Sequence, residues 1–274
     1  MEDIKILYVT DLDGTLLNTN QRINEYSLQV INELVEKGML FTYATARSIS
    51  SASIVAKGLS TKIPIIAYNG AFIIEPDTKK ILSKEQFTKE QTQTVISALE
   101  KHNVSPLVYS FVDGMEKVSW LLGTENEAKK AYLDSRKGDK RLRMATTNEE
   151  LYKGDIFYFT CMGQKEELEP LARLFLDHKE YTCTFQKEIY RDEYWLEIMP
   201  KCATKANAIL KLKDLWECEK IVSFGDAIND IPMFLISDEC YAVENAVDEL
   251  KAMATAIIPS NNEDGVAKWL SENV

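Results

Sequence analysis

No C-x-x-C pair occurs in this chain of 274 residues. Its five cysteines, Cys161, Cys183, Cys202, Cys218 and Cys240, are odd in number and widely spaced. That argues against a disulfide framework and a zinc site, and it fits a reducing, cytoplasmic location. Histidine is scarce as well. His102 and His178 are the only two, so histidine need not be invoked for catalysis. There is no G-x-S-x-G elbow and no Walker-type lysine loop. The N-terminal residues show no basic segment leading into a long apolar one, so no signal peptide is expected. No apolar run approaches a membrane span. Positive charge is not in excess either: 32 Lys and Arg stand against 43 Asp and Glu, a net charge of −11. No nucleic-acid partner and no membrane partner are therefore expected. A small anionic substrate held by a few local cations or a metal stays open.

The remaining composition is that of a soluble globular protein, with 45% hydrophobic and 27% charged residues. The length suits one large domain or two smaller ones. From residue 4 to 75 strand and helix alternate: "IKILYVT", the helix "NEYSLQVINELVEKG" with Asn24 as N-cap and Gly38 as stop, "MLFTYAT", the helix "SISSASIVAKGL", and a third strand "IPIIAY". Such alternation predicts right-handed βαβ units and a doubly wound parallel sheet. The pattern resumes near 193 with "YWLEIM", "TKANAILKLKDLWE", "KIVSF", a helix near 228–236, "CYAV", "AVDELKAMA", "AIIP" and a last helix. Between them, longer helices ("KEQTQTVISALEKH", "KEELEPLARLFL") mix with amphipathic strands ("SPLVYSFV", "DIFYFTCM", "YTCTFQ"). The expected organisation is an α/β core of residues 1–82 and 191–274 interrupted by an α+β domain of residues 83–190. The locally basic stretch 126–143 reads as a solvated face, with a role in steering phosphorylated substrates as the alternative.

Chemistry gathers at four places. "DLDGT" follows a buried strand and sets Asp11 and Asp13 one residue apart on a loop at a strand's carboxyl end, where ligands bind in open α/β sheets. "FTYATAR" ends a strand in Thr45, Ala46 and Arg47; the Thr45 hydroxyl and adjacent N–H can take a phosphoryl oxygen, and Arg47 is either a substrate contact or a surface charge. "PKCATKANAI" opens a helix with Lys205, where a cation opposes the macrodipole unless an anion is near. "IVSFGDAIND" runs a buried strand into Asp226, with Asn229 and Asp230 one helical turn on. Parallel strands bring all four to one edge. Several carboxylates, a hydroxyl and a lysine there suit Mg²⁺ with a phosphate.

These four motifs in this order resemble the haloacid dehalogenase superfamily of aspartyl phosphotransferases. The inserted domain and the ending "PSNNEDGVAKWL" look like its Cof-type branch of small-metabolite phosphatases. "YNGA", with Asn69 and Gly70, resembles a family segment near the substrate. The resemblance implies a Rossmann-like core with a cap, and hydrolysis of small phosphate monoesters, sugar phosphates above all. Asp11 would be nucleophile and Mg²⁺ ligand, and Asp13 the acid/base with its carbonyl on the metal. Thr45 and Lys205 would hold phosphoryl oxygens. Asp226 would be a metal ligand, Asp230 would support the metal shell, and Asn229 would contact the phosphoryl group or Lys205. Family members often have Gly where Ala46, Cys202 and Ala206 stand, and a polar residue at Ile228; these departures touch loop shape and substrate fit. A phosphomutase on the same core and a non-catalytic phospho-ligand binder are the competing readings. The sequence says nothing of oligomeric state.

Overall fold

The computed structural model describes residues 4–187 and 192–274. The chain divides into two compact units, one of residues 1–84 with 203–274 and the other of residues 85–202.

The first unit starts at β1 (Ile6–Thr10), followed by α1 (Glu25–Glu36), β2 (Leu40–Tyr43), α2 (Ile49–Val55), β3 (Ile65–Ala67), β4 (Phe72–Ile74) and β5 (Ile81–Lys84). The strand β1 is apolar without alternation, as befits a strand covered on both faces; Leu7 and Val9 are wholly buried. In α1, Ser27, Ile31 and Val35 recur every four residues and form the buried stripe. Asn24 occupies the N-cap position without capping; its amide instead bonds Asn18 and Asp264.

The second unit carries α3 (Lys89–Lys101), β6 (Leu107–Val112), β7 (Met115–Leu121), α4 (Glu127–Ser135), β8 (Leu142–Ala145), α5 (Asn148–Leu151), β9 (Asp155–Gly163), α6 (Lys165–Phe175), β10 (Tyr181–Lys187) and β11 (Tyr194–Pro200). Its sheet has the order β10-β11-β9-β6-β7-β8 and is antiparallel except for the β7–β8 pair. Val95 and Leu99 of α3 and Leu168, Leu171 and Phe175 of α6 pack with Val108, Phe159, Leu196 and Ile198 into one core. The unit's two ends meet, the Cys202 thiol donating to the Glu85 carboxylate at 2.9 Å.

The chain then returns to the first unit through α7 (Lys205–Leu215), β12 (Lys220–Gly225), α8 (Ile231–Leu235), β13 (Glu239–Val243), α9 (Asp248–Lys251), β14 (Ala256–Ile258) and α10 (Gly265–Asn273). The main sheet runs β14-β13-β12-β1-β2, all parallel. Trp269 of α10 packs edge-on against Phe224 of β12.

Three expectations need correcting. The boundary set between 190 and 191 lies outside the described residues, but the chain beyond it does not rejoin the core. Tyr194–Pro200 pairs antiparallel with β9 and β10, so the second unit runs to Cys202. An apolar, alternating segment looks the same from either sheet, and only its partners decide. Next, "IPIIAY" forms an antiparallel meander with β4 and β5 and joins the parallel sheet through a single bridge, Ala44 to Ile66. Finally, the stretch 126–143 is not simply a solvated face. Lys129 is 1% exposed, its ammonium donating to the carbonyls of Ser105 and Thr124, and burial pushes its pKa down to about 8. Arg141 pairs with Glu116 and Asp139.

Candidate active site

The carboxyl ends of β1, β2 and β12 and the start of α7 place the predicted residues together. Asp11 leaves β1 with its N–H donating to the Phe224 carbonyl at 2.9 Å, which ties it to the neighbouring strand. Thr204 caps α7 by accepting from Asn207 N–H at 3.1 Å, and this fixes the first turn that carries Lys205. The Lys205 ammonium, fully buried, donates to Asp11 Oδ1 and, at 2.6 Å, to Asp230 Oδ1. The other oxygen of Asp230 accepts from the N–H groups of Asp226 and Ala227 at 3.0 and 3.1 Å. Both Asp230 oxygens are thus engaged: it holds the 226–227 turn on one side and the lysine on the other.

Asp226 accepts from the Thr15 hydroxyl at 2.8 Å. Gly14 makes room for it. Its φ is +80°, and a Cβ there would stand 2.3 Å from Asp226 Oδ2. Thr45 is wholly buried, and its hydroxyl oxygen accepts from Arg47 N–H at 3.1 Å, so the hydroxyl proton is the group it can offer a phosphoryl oxygen. Asn69, buried and left-handed at φ 53°, receives the Asn229 amide at 3.4 Å. Gly70 has a packing reason to be glycine, because its φ is +101° and a Cβ would lie 2.1 Å from the Thr204 carbonyl. Ala46 and Ile228 are exposed. Asp13 points outward and pairs with Arg47.

Sequence reasoning passed over Asn245, whose amide donates to the Gly14 carbonyl at 2.7 Å and whose oxygen accepts from Asn261 N–H at 3.0 Å. Nothing in "VENAV" signals this, because the contact joins loops far apart in sequence. It also passed over Gln21 and Ser51, which bond Arg47. Both histidines lie in the second unit, His178 with its ring 4.8 Å from that of Tyr181.

Oxygens of Asp11, Asp226 and Asp230 lie within 4.8 Å of one another. Three carboxylates meet one lysine, and Asp230 already has backbone N–H groups. The surplus negative charge therefore sits on Asp11 and Asp226. Burial, with the charges of Asp230 and Asp226 added, raises Asp11 well above the carboxylate range although Lys205 opposes this. Burial and then Asp230 raise Asp226 to about 7. An all-oxygen set of this kind, short of positive charge, fits a hard divalent cation such as Mg²⁺.

A pH dependence follows. A carboxyl whose folded pKa is raised holds its proton more tightly when folded than unfolded. Its contribution is complete below the unfolded value and is lost as pH rises through about 7 for Asp226. The metal-free protein is expected to melt at a higher temperature at about pH 5 than at about pH 8, and Mg²⁺ to restore stability at the higher pH. Thermal melts in chelator across that range check this; a metal-free profile that rises with pH would contradict it.

The family description "haloacid dehalogenase-like hydrolase" matches residues 8–270. Among curated proteins, the chain is 28% identical to the 5-amino-6-(5-phospho-D-ribitylamino)uracil phosphatase YwtE of Bacillus subtilis, over 96% of each chain. It is 24% identical to the pyridoxal phosphate phosphatase YbhA of Escherichia coli, over 95% of each. Among solved structures, TM0651 from Thermotoga maritima superposes with a TM-score of 0.79 at 28% identity, covering 99% of this chain and 98% of that one. A haloacid dehalogenase-like hydrolase from Bacteroides thetaiotaomicron gives 0.75 at 22% identity, covering 99% and 100%.

Proposed function

Since the chain belongs to the haloacid dehalogenase-like hydrolases and is a phosphoric monoester hydrolase, we propose that it is a Mg²⁺-dependent phosphatase of small phosphate monoesters, sugar phosphates foremost, working through an aspartyl phosphate. The observation that carries this reading is the placement of Asp11: a buried carboxylate fixed by a buried lysine, with Asp226 beside it. With a divalent cation beside it to keep it ionised, a carboxylate so held is placed to act as the nucleophile.

Asp11 and Asp226, with the Asp13 carbonyl, would hold the metal; when bound, it offsets negative charge on the transferring group. Asp11 attacks phosphorus through a carboxylate oxygen, and the bond to the leaving oxygen breaks. Asp13 supplies that oxygen with a proton. Asp13 then takes a proton from water, the resulting hydroxide attacks phosphorus, and the Asp11 carboxylate and inorganic phosphate are released. Lys205 and the Thr45 hydroxyl offer hydrogen bonds to phosphoryl oxygens whose charge grows during transfer. The substrates named for the relatives, a ribitylaminouracil phosphate and pyridoxal phosphate, are small phosphate esters too, which supports the class.

The test is phosphate release by the full chain over a panel of sugar phosphates, polyol phosphates and pyridoxal phosphate, with Mg²⁺ and with chelator. Release from at least one sugar or polyol phosphate, lost in chelator and regained with Mg²⁺, is the expected result. Activity undiminished by chelator would overturn the metal dependence. Isomerised sugar phosphate without net release would identify a mutase.

A further inference from the structure

The Asp13 carboxylate is gripped by a guanidinium that is itself gripped. Arg47 Nε donates to Asp13 Oδ2 at 2.7 Å and Nη2 to Oδ1 at 2.6 Å, a bidentate pair. Behind it, Nη1 donates to Ser51 Oγ at 2.9 Å and Nη2 to Gln21 Oε1 at 2.9 Å. Guanidinium has five N–H donors. One on Nε, two on Nη2 and one on Nη1 are directed at protein partners.

Each support is in turn fixed by backbone. Arg47 N–H donates to Thr45 Oγ1 at 3.1 Å, and the Arg47 carbonyl accepts from Tyr68 N–H at 3.0 Å. Ser51 sits in the first turn of α2, its N–H bound by the capping hydroxyl of Ser48. Gln21 is held left-handed at φ 55° in a turn closed by its N–H on the Asn18 carbonyl at 2.9 Å. Left-handed backbone is uncommon for a residue with a side chain, and surrounding structure must hold it.

Two readings of Arg47 were open, and this geometry adds a third role. A surface charge would turn its donors to water, yet the Arg47 side chain is 17% exposed. As a substrate contact it would have one Nη1 donor left, because both donors facing Asp13 are taken. We infer that Arg47 is a positioning residue for the acid/base step: it aims the Asp13 carboxylate, and Ser51 and Gln21 aim Arg47. The inference rests on the reading of Asp13 given above. The pair takes one lone pair on each Asp13 oxygen and leaves the outer lone pairs for the proton in transit. The half-exposed Asp13 side chain would otherwise rotate among rotamers in solvent. Lysine is a point charge on a flexible stem and does not reproduce a planar two-point grip.

The experiment compares wild type, Arg47→Lys, Asp13→Asn and the double variant, all as full-length protein with Mg²⁺. The substrates are a sugar phosphate, with a poor leaving oxygen, and p-nitrophenyl phosphate, with a good one. Asp13→Asn is expected to lower kcat on the sugar phosphate by about 10²–10⁴-fold. Arg47→Lys is expected to lower it by about 10–100-fold, within the same acid/base contribution. In Arg47→Lys, KM should stay within about twofold and the nitrophenol burst rate should hardly change, because only the poor leaving group needs the aimed proton. The double variant should be no slower than Asp13→Asn, since a group that acts through Asp13 has nothing left to aim. Ser51→Ala and Gln21→Ala should show the same leaving-group signature more weakly, and they serve if Arg47→Lys does not fold. Losses that multiply in the double variant, a KM raised on both substrates, or equal loss of the first-step rate on both substrates would each overturn the inference. An Asp13→Asn protein with no leaving-group preference would instead overturn the acid/base reading itself.

Discussion

Replacing Asp11 with Asn is expected to abolish turnover while leaving the fold intact or firmer. The two effects have opposite signs because Asp11 serves chemistry against electrostatics. It is buried among Asp226 and Asp230, and burial foremost raises its pKa. Asparagine keeps the shape, still accepts from the Lys205 ammonium through its carbonyl, and removes one of three crowded charges. It cannot attack phosphorus as a carboxylate does. Losing a covalent nucleophile removes rate by about 10⁴-fold or more; in a protease the comparable loss is ~10⁶. Phosphate release and melting temperature, read on one preparation, check both halves. Residual activity above about 1% of wild type would remove Asp11 from the nucleophile's role.

Lys205→Met should be the most damaging single change to stability. The ammonium is completely buried and bonds two carboxylates, Asp11 and Asp230, of which the second is completely buried as well. Methionine fills much of the space but leaves those charges facing each other with no cation. Breaking a buried pair by removing one partner costs about 3–5 kcal/mol, a large fraction of a domain's stability. Burial alone would lower the Lys205 pKa, but Asp11 and Asp230 outweigh it and the net shift is upward. In wild type its contribution is therefore complete below the unfolded lysine value and fades only as pH rises through the higher folded one. In the variant the loss should shrink as pH falls, because the stranded carboxylates take up protons. Denaturant melts at about pH 5 and pH 8 test this; an equal loss at both would mean that packing, not charge, is what Lys205 provides.

The parts of the site legible in the sequence are those where chemistry and local structure coincide. Asp11 and Asp226 each follow an apolar run that could only be a buried strand, so their place at a strand end could be read directly. The parallel pairing of β1 with both β2 and β12 follows from the same alternation. What could not be read was set by contacts distant in sequence. Tyr194–Pro200 carries a strand pattern with no mark of which sheet it joins. Lys129 looks like any helix-surface lysine until its carbonyl partners are seen. Gln21 and Ser51 carry no signal of their own, because what matters is that two separate turns converge on one guanidinium.

The two-segment make-up of the first unit also bears on how the chain is made. Leu7 of β1 lies opposite Leu40 of β2 on one side and opposite Ile221 of β12 on the other. A ribosome adding ~5–20 residues per second needs about 10–40 s to pass from β2 to β12. Throughout that interval β1 is an apolar edge without its second partner. Residues 85–202, by contrast, are contiguous and complete before β12 exists. The nascent protein therefore carries a finished second unit beside an unfinished first one. That waiting edge is where a holdase chaperone, or a second nascent copy, has its opportunity to bind.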